Sequence, residues 1–70
     1  MPYSTIDGLP ERVRRALPEH AQEIYLAAFN NAWGQYADRA DRDQVAHRVA
    51  WTAVKKIYEK GPGGAWVRSR

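Results

Sequence analysis

The chain has 70 residues, which is near the lower limit for a protein that folds alone and excludes two independent hydrophobic cores. It contains no cysteine, so neither a disulfide nor a thiol nucleophile is available. The net charge of +3 is unevenly spread, with +5 on residues 44–70 and −2 on residues 1–43, and this asymmetry leaves open an acidic partner, nucleic acid included.

The N-terminal residues do not resemble a targeting segment. They lack the charged start, apolar run and small-residue cleavage site of a signal peptide. No apolar run along the chain approaches the roughly 18 residues that a membrane-spanning helix needs. From the sequence we expect a cytoplasmic location.

Two similar tripeptides indicate where the first two helices begin. Leu9-Pro10-Glu11 recurs as Leu17-Pro18-Glu19, and a proline followed by an acidic residue suits the first turn of a helix. The first helix is therefore predicted over residues 9–17, after an extended N-terminal segment formed by residues 1–8. It is short because Pro18 disfavours helical geometry in the residue before it.

Two long amphipathic helices are predicted next. Apolar side chains recur with the i, i+3, i+4, i+7 spacing of one helical face along residues 18–36, and again along residues 44–60. The charged residues 37–43 are expected to form the loop between them, with Asp41 or Asp43 as the cap of the third helix. Gly61 and Pro62 are placed to end that helix.

The C-terminal residues 61–70 read as a Gly-rich turn and tail. The apolar piece around Trp66 suits a short extended strand, and the N-terminal segment also carries an aromatic residue, Tyr3. Together the patterns predict one mainly α, compact three-helix domain with one short and two long helices. The same patterns also predict a minimal two-stranded sheet formed by the N- and C-terminal segments.

Several short motifs, taken in order, resemble the ChaB family. They are Leu9-Pro10, Leu17-Pro18, Ala21-Gln22-Glu23-Ile24-Tyr25, Ala28-Phe29-Asn30-Asn31-Ala32-Trp33, and Ala46-His47-Arg48-Val49-Ala50-Trp51-Thr52-Ala53-Val54-Lys55 with Tyr58. The resemblance covers nearly the whole chain, and it includes the opening Met1-Pro2-Tyr3 and the tail residue Trp66. It implies three helices with a small sheet from the terminal segments. It also implies a regulator of cation transport, because bacterial members are named for their association with a Ca²⁺/Na⁺:H⁺ antiporter, whereas viral relatives have been regarded as DNA binders.

The predicted loop carries three carboxylates, on Asp38, Asp41 and Asp43. Carboxylate oxygens are ligands that Ca²⁺ and Mg²⁺ prefer, although the spacing here is not that of an EF-hand and neighbouring arginines offset the charge. The alternative is a solvated loop that includes a helix cap. Apart from such a cation, we expect no cofactor.

Both histidines are expected on helices. His47 falls at the edge of the apolar arc of the third helix, where a half-buried imidazole is a candidate pH sensor. The alternative is a core-edge histidine that is hydrogen-bonded to a neighbour. His20 falls on the polar side of the second helix and is expected on the surface.

Six basic side chains form a candidate surface for nucleic acid or another acidic partner, provided that the first and third helices lie side by side. They are Arg12, Arg14, Arg15, Lys55, Lys56 and Lys60. No recognised nucleic-acid motif accompanies them, and Lys and Arg are also the ordinary residues of a solvated helix face.

The wide apolar arcs of the long helices predict that some large side chains are left exposed. Leu26, Trp33, Trp51 and Trp66 are the candidates for docking a protein partner or a second copy of the chain. The alternative is that they complete a small core.

Catalysis is not expected, because the serines Ser4 and Ser69 lie in the terminal segments and the histidines have no evident carboxylate partner. The sequence therefore favours a non-enzymatic regulatory protein that binds a protein partner, such as a cation antiporter, as a monomer or small homo-oligomer. A small DNA-binding domain that uses the basic helix faces is the alternative.

Overall fold

A computed structural model describes residues 3–69, and it contains three helices followed by a hairpin. Helix α1 spans Glu11–Ala16, α2 spans Glu19–Gln35 and α3 spans Arg42–Lys55; strands β1 and β2 span Tyr58–Lys60 and Trp66–Arg68, and 3₁₀ turns span Ile6–Gly8 and Pro62–Gly64. The mainly helical class and the presence of a two-stranded sheet are confirmed. Met1, Pro2 and Arg70, which belong to the predicted terminal segments, lie outside the described residues.

The two prolines begin α1 and α2 as predicted, each one residue before the first helical residue. The carbonyl of Pro10 accepts hydrogen bonds from the amides of Val13 and Arg14, and the carbonyl of Pro18 accepts one from Gln22. The side-chain amide of Gln22 then donates to the carbonyls of Leu17, at 2.8 Å, and Arg14, at 3.1 Å. Because the last carbonyls of a helix have no partner within it, this amide both caps α1 and fastens it to α2.

The core lies between the long helices α2 and α3. On α2 the buried side chains are Ala21, Tyr25, Phe29 and Ala32, and on α3 they are Ala46, Ala50 and Val54. The buried face of α3 is made of small residues spaced by four, so the rings of Tyr25 and Phe29 pack closely against it. Leu9, Val13 and Leu17 cover one side of this layer, and Tyr58 of β1 closes its end.

The third helix ends at Lys55, so its predicted extension to residue 60 is wrong. The amides of Lys56 and Ile57 bond to carbonyls three residues earlier, and the chain then becomes extended at Tyr58. Tyr58 is buried in this extended conformation, and the spacing of apolar residues would bury it in a helix as well. The spacing therefore does not distinguish a strand from a helix here. The strand forms because Trp66–Arg68 pairs with it and supplies hydrogen-bond partners for the β1 backbone. The turn between the two strands includes Gly63 and Gly64, whose φ angles of +80° and +86° favour glycine.

The sheet pairs β1 with β2, so the predicted pairing of the N-terminal with the C-terminal segment is wrong. The register places Tyr58 opposite Arg68, Glu59 opposite Val67 and Lys60 opposite Trp66. The N-terminal segment is instead held by a side chain of α2: the Tyr3 amide donates to Asn30 Oδ1 at 2.9 Å, and Asn30 Nδ2 donates to the Tyr3 carbonyl at 2.7 Å. This amide side chain offers the donor and acceptor that a neighbouring strand would supply.

Neither predicted aspartate caps α3 through its side chain. Asp41 occupies the N-cap position, but no side-chain cap bond is formed there, since Arg39 Nε and Nη2 donate to its carboxylate at 2.9 and 3.2 Å. The start of α3 is instead fixed by Arg42. Its guanidinium lies 3.9 Å from the centroid of the Trp33 ring and donates to the Trp33 carbonyl, in the last turn of α2, at 2.9 Å. Arg42 thus joins the end of α2 to the beginning of α3.

The described residues include no helix that combines the length and the apolar character needed to cross a lipid bilayer.

Candidate functional site

A groove opens between α1 and α3, with Tyr25 of α2 beneath it, and its volume is about 590 Å³. We call it the α1–α3 groove. It is lined by Pro10, Arg12, Val13, Ala16, Tyr25, Asp43, Gln44, His47 and Trp51. The charged and amide side chains at its rim are exposed, whereas Val13 and Tyr25 are buried, so the groove has a polar rim above an apolar base.

Local structure explains why these side chains share one surface. On α3, Gln44, His47 and Trp51 are spaced by three and four residues and therefore lie along one helical face. On α1, burial of Val13 in the core fixes the rotation of the helix and leaves Arg12 at the margin of the groove. The groove is thus a direct result of how α1 packs on the antiparallel pair of long helices.

Tyr25 and His47 form a hydrogen bond at the base of the groove. The Tyr25 hydroxyl and His47 Nδ1 are partners, and His47 Nε2 lies 3.9 Å from Asp43 Oδ1. A neutral imidazole with its proton on Nε2 fits both contacts, since Nδ1 then accepts from the hydroxyl and Nε2–H faces the carboxylate. The bond joins α2 to α3 and satisfies a hydroxyl on a fully buried residue.

The surroundings keep both members of this pair uncharged near neutral pH. Burial is the main cause that raises the pKa of Tyr25 to about 12. Burial also lowers the pKa of His47; nearby Asp43 opposes that shift and Arg12 adds to it. A buried, protonated phenol and a neutral imidazole suit a structural tie better than nucleophilic chemistry.

The groove brings together three residues that the sequence assigned to three different functions. Arg12 was a candidate for an acidic partner, Asp43 for a metal and His47 for pH sensing, and all three line the groove. Trp51, a predicted docking residue, also lines the groove, whereas Tyr25 and Gln44 were not predicted as part of a site. The spacing of Gln44, His47 and Trp51 on one face was a usable signal, but the position of α1 over that face was not visible in the sequence.

The predicted basic residues have different surroundings. Arg12 lines the α1–α3 groove, whereas Lys56 lines a separate, shallow concavity with Arg48 and Thr52. On α1, Arg14 Nε donates to the Leu9 carbonyl at 3.0 Å, and Arg15 forms an exposed ion pair of 3.6 Å with Glu11. Binding of nucleic acid by these residues stays a prediction.

The three predicted metal ligands do not converge. Arg39 donates hydrogen bonds to both carboxylate oxygens of Asp41, and the carboxylate of Asp43 lies 3.9 Å from His47 Nε2. Within residues 3–69, no three histidine, aspartate or glutamate side chains form a group that could hold a metal ion. Binding of Ca²⁺ or Mg²⁺ by Asp38, Asp41 and Asp43 stays a prediction.

The large side chains proposed as exposed anchors are not the exposed ones. Leu26, Trp33, Trp51 and Trp66 are all partly buried and pack against the core. The exposed large hydrophobic residues of the described chain are Ile57 and Val67, at 37% and 45% exposure. His20 is on the surface, as expected, where its Nδ1 lies 3.0 Å from the Tyr58 hydroxyl.

Comparison with known proteins confirms the resemblance. Residues 9–69 match the family model described as ChaB. The chain belongs to the ChaB family. It is 51% identical, over 94% of its length and 95% of theirs, to proteins of Escherichia coli (strain K12) and Shigella flexneri that are named "Putative cation transport regulator ChaB". The fold matches the NMR solution structure of a protein described in the same words, with a TM-score of 0.85, 49% identity, and coverage of 99% of this chain and 100% of that one. These ChaB relatives are named as regulators and not as enzymes.

Proposed function

We propose that this chain is a cytoplasmic, non-enzymatic regulator of cation transport that acts by binding a protein partner in the α1–α3 groove. Membership of the ChaB family supports the role in cation transport, since the relatives carry that name. The groove is the observation that supports the mode of action.

The composition of the groove suits a segment of another protein. Val13, Ala16 and Trp51 provide an apolar surface, and Arg12 and Asp43 place opposite charges at the rim. Protein interfaces commonly combine an apolar centre that contains aromatic residues with a polar rim. Opposite charges at fixed positions select the orientation of a partner more than they add to its affinity.

The base of the groove is held in place before any partner binds. Tyr25 is hydrogen-bonded to His47 and packs edge to face on Trp51 at a centroid distance of 5.3 Å. The ring of Trp51 also packs on the ring of Trp66 in β2, with 5.7 Å between the ring centroids. A surface whose aromatic side chains are already ordered loses less conformational entropy on binding, so a modest groove is adequate.

Site-specific photo-crosslinking in cells tests this function. A photoreactive residue at Gln44 lies on the exposed rim of the groove, and the same residue at Gln35 lies on the exposed end of α2, outside the groove. We expect position 44 to capture a cation transporter or one of its subunits, identified by mass spectrometry, and position 35 not to do so. Equal capture from both positions, or none from position 44, would contradict the proposal.

A parallel measurement addresses the DNA-binding alternative. Phosphate neutralisation by Lys and Arg makes DNA affinity fall steeply as salt concentration rises. Under the proposed function, a labelled DNA duplex titrated at low salt shows no saturable, salt-sensitive binding. Saturable binding that disappears with added salt would favour the alternative.

A further inference from the structure

Strand β2 has a free edge. The Ser69 amide donates to the Ile57 carbonyl at 2.7 Å, which shows which residues bond across the hairpin. Because hydrogen-bonded pairs alternate along an antiparallel ladder, Val67 also bonds to β1, whereas the N–H and C=O groups of Trp66 and Arg68 point away from it. In the part of the chain that the structure describes, the sheet has two strands, so no third strand meets these groups.

The free edge of β2 lies on the side of the sheet that adjoins the α1–α3 groove. Strand β1 lies toward α2, since the Tyr58 hydroxyl is 3.0 Å from His20 Nδ1. Strand β2 lies toward the groove, since Trp66 packs on Trp51, which lines it. The groove follows α3 from Asp43 to Trp51, a distance of about 12 Å along the helix axis. A chain that leaves the groove past Trp51 therefore meets β2 next, at the edge that is turned away from β1.

The chemistry of this edge suits an extended peptide. Its N–H and C=O groups recur at every second residue, about 7 Å apart, and the backbone of another strand offers acceptors and donors at the same interval. Phosphate groups of a bilayer or a duplex only accept hydrogen bonds, so they would leave the carbonyls of the edge without a donor. The Val67 side chain is 45% exposed on the outward face, where a β-branched or aromatic residue of an added strand would pack beside it.

We propose that the protein partner held in the α1–α3 groove continues as an extended segment along the free edge of β2 and adds a third strand to the sheet. This inference rests on the proposed function and specifies the partner as a segment that is extended where it passes β2. A strand of three residues offers few main-chain hydrogen bonds, so the edge alone binds weakly. A segment already held in the groove has a high effective concentration at the edge, and the two contacts then reinforce each other.

Photo-crosslinking at two matched positions tests whether the partner reaches this edge. Arg68 on β2 and Lys60 on β1 are both exposed, lie on the same face of the sheet and belong to opposite edges. In cells, a photoreactive residue at position 68 should capture the same cation transporter or subunit that position 44 captures. The same residue at position 60 should not capture it.

Proline substitutions test the main-chain hydrogen bonds. The N–H of Arg68 points outward, so Arg68→Pro removes a donor from the free edge of β2 without removing a bond of the hairpin. Capture from position 44 should fall about fivefold, as expected for the loss of one hydrogen bond. Arg68→Ala removes the side chain but keeps the N–H, and Lys60→Pro makes the proline change on the outer edge of β1; both controls should retain capture. Circular dichroism checks that each variant is folded, and if Arg68→Pro is not, the comparison of positions 68 and 60 decides alone.

The results that would overturn this inference differ from those that would overturn the proposed function. Capture from position 44 but not from position 68, or undiminished capture from position 44 in folded Arg68→Pro, would remove the added strand and leave the groove as the whole site. Crosslinks from position 68 that join two copies of this chain would assign the edge to self-association instead. Failure of position 44 to capture a transporter in the otherwise unchanged chain would overturn both the proposed function and this inference.

Discussion

The hydroxyl of Tyr25 is hydrogen-bonded to Nδ1 of His47, and the bond crosses from the middle of α2 to α3 beneath the α1–α3 groove. The centroid of the His47 ring also lies 4.6 Å from the centroid of the Phe29 ring. Aromatic packing therefore helps the hydrogen bond to hold the imidazole in position. Tyr25 is fully buried, and its polar end therefore needs this partner. The relationship explains why a titratable side chain at the base of the groove has a fixed orientation.

Replacement of Tyr25 by Phe should destabilise the fold by about 1 to 2 kcal/mol, because His47 Nδ1 loses its partner in a partly buried setting. Urea denaturation followed by circular dichroism measures the change. Tyr36→Phe is the matched control, since Tyr36 is partly buried and its hydroxyl forms no hydrogen bond with residues 3–69. An equal effect of the two substitutions would contradict a structural role for the bond.

The stability of the protein should fall as the pH drops below about 6.5, the ordinary pKa of histidine. Burial lowers the pKa of His47 in the folded state, so the unfolded chain binds the proton more readily. The contribution of His47 to stability is therefore complete above the unfolded pKa and declines as the pH falls toward the folded pKa.

Proton NMR titration of the imidazole checks the pKa of His47 directly, and a value at or above 6.5 would contradict burial as the dominant cause. Asp43 and Arg12 act on the same ring in opposite directions. Arg12→Gln should therefore raise the pKa of His47, and Asp43→Asn should lower it further.

The sequence predicted the fold correctly where the spacing of apolar residues is compatible with only one kind of secondary structure. The proline-acid starts of α1 and α2 and the buried face at Ala21, Tyr25 and Phe29 were recognised because nothing competes with a helix there. Tyr58 satisfies burial in either a helix or a strand, and only the distant pairing with Arg68 decides between them. The groove was not predicted because it depends on the position of α1 over His47, which is a tertiary property.

Arg42→Lys should cost about 1 kcal/mol, because lysine keeps the charge but loses both the planar contact with the Trp33 ring and the forked donation to its carbonyl. Thermal unfolding of the variant measures the loss. Arg39→Lys is the control, since its pair with Asp41 is exposed and should change stability less. A larger loss from Arg39→Lys would show that the loop pair, and not the bridge from Arg42 to Trp33, fixes the start of α3.

Two glycine substitutions should change stability in opposite directions. Gly34 lies within α2, where an added Cβ meets nothing within 4 Å apart from its chain neighbours and the adjacent helix backbone, so Gly34→Ala should stabilise by about 0.5 to 1 kcal/mol. Gly63 has φ of +80° in the hairpin turn, so Gly63→Ala should destabilise by about 1 kcal/mol. Both are measured by urea denaturation, and a stabilising Gly63→Ala would contradict the turn geometry.

Cation efflux from cells that lack the chromosomal copy of the gene tests the proposed function most directly. Cells supplied with the wild-type chain are compared with cells supplied with Arg12→Glu/Gln44→Glu, which changes the groove rim, or Arg15→Glu, which changes an exposed residue of α1 outside that groove. All variants must be folded and equally abundant. We predict that the wild type and Arg15→Glu restore efflux and that the groove variant does not; full restoration by the groove variant would contradict the account.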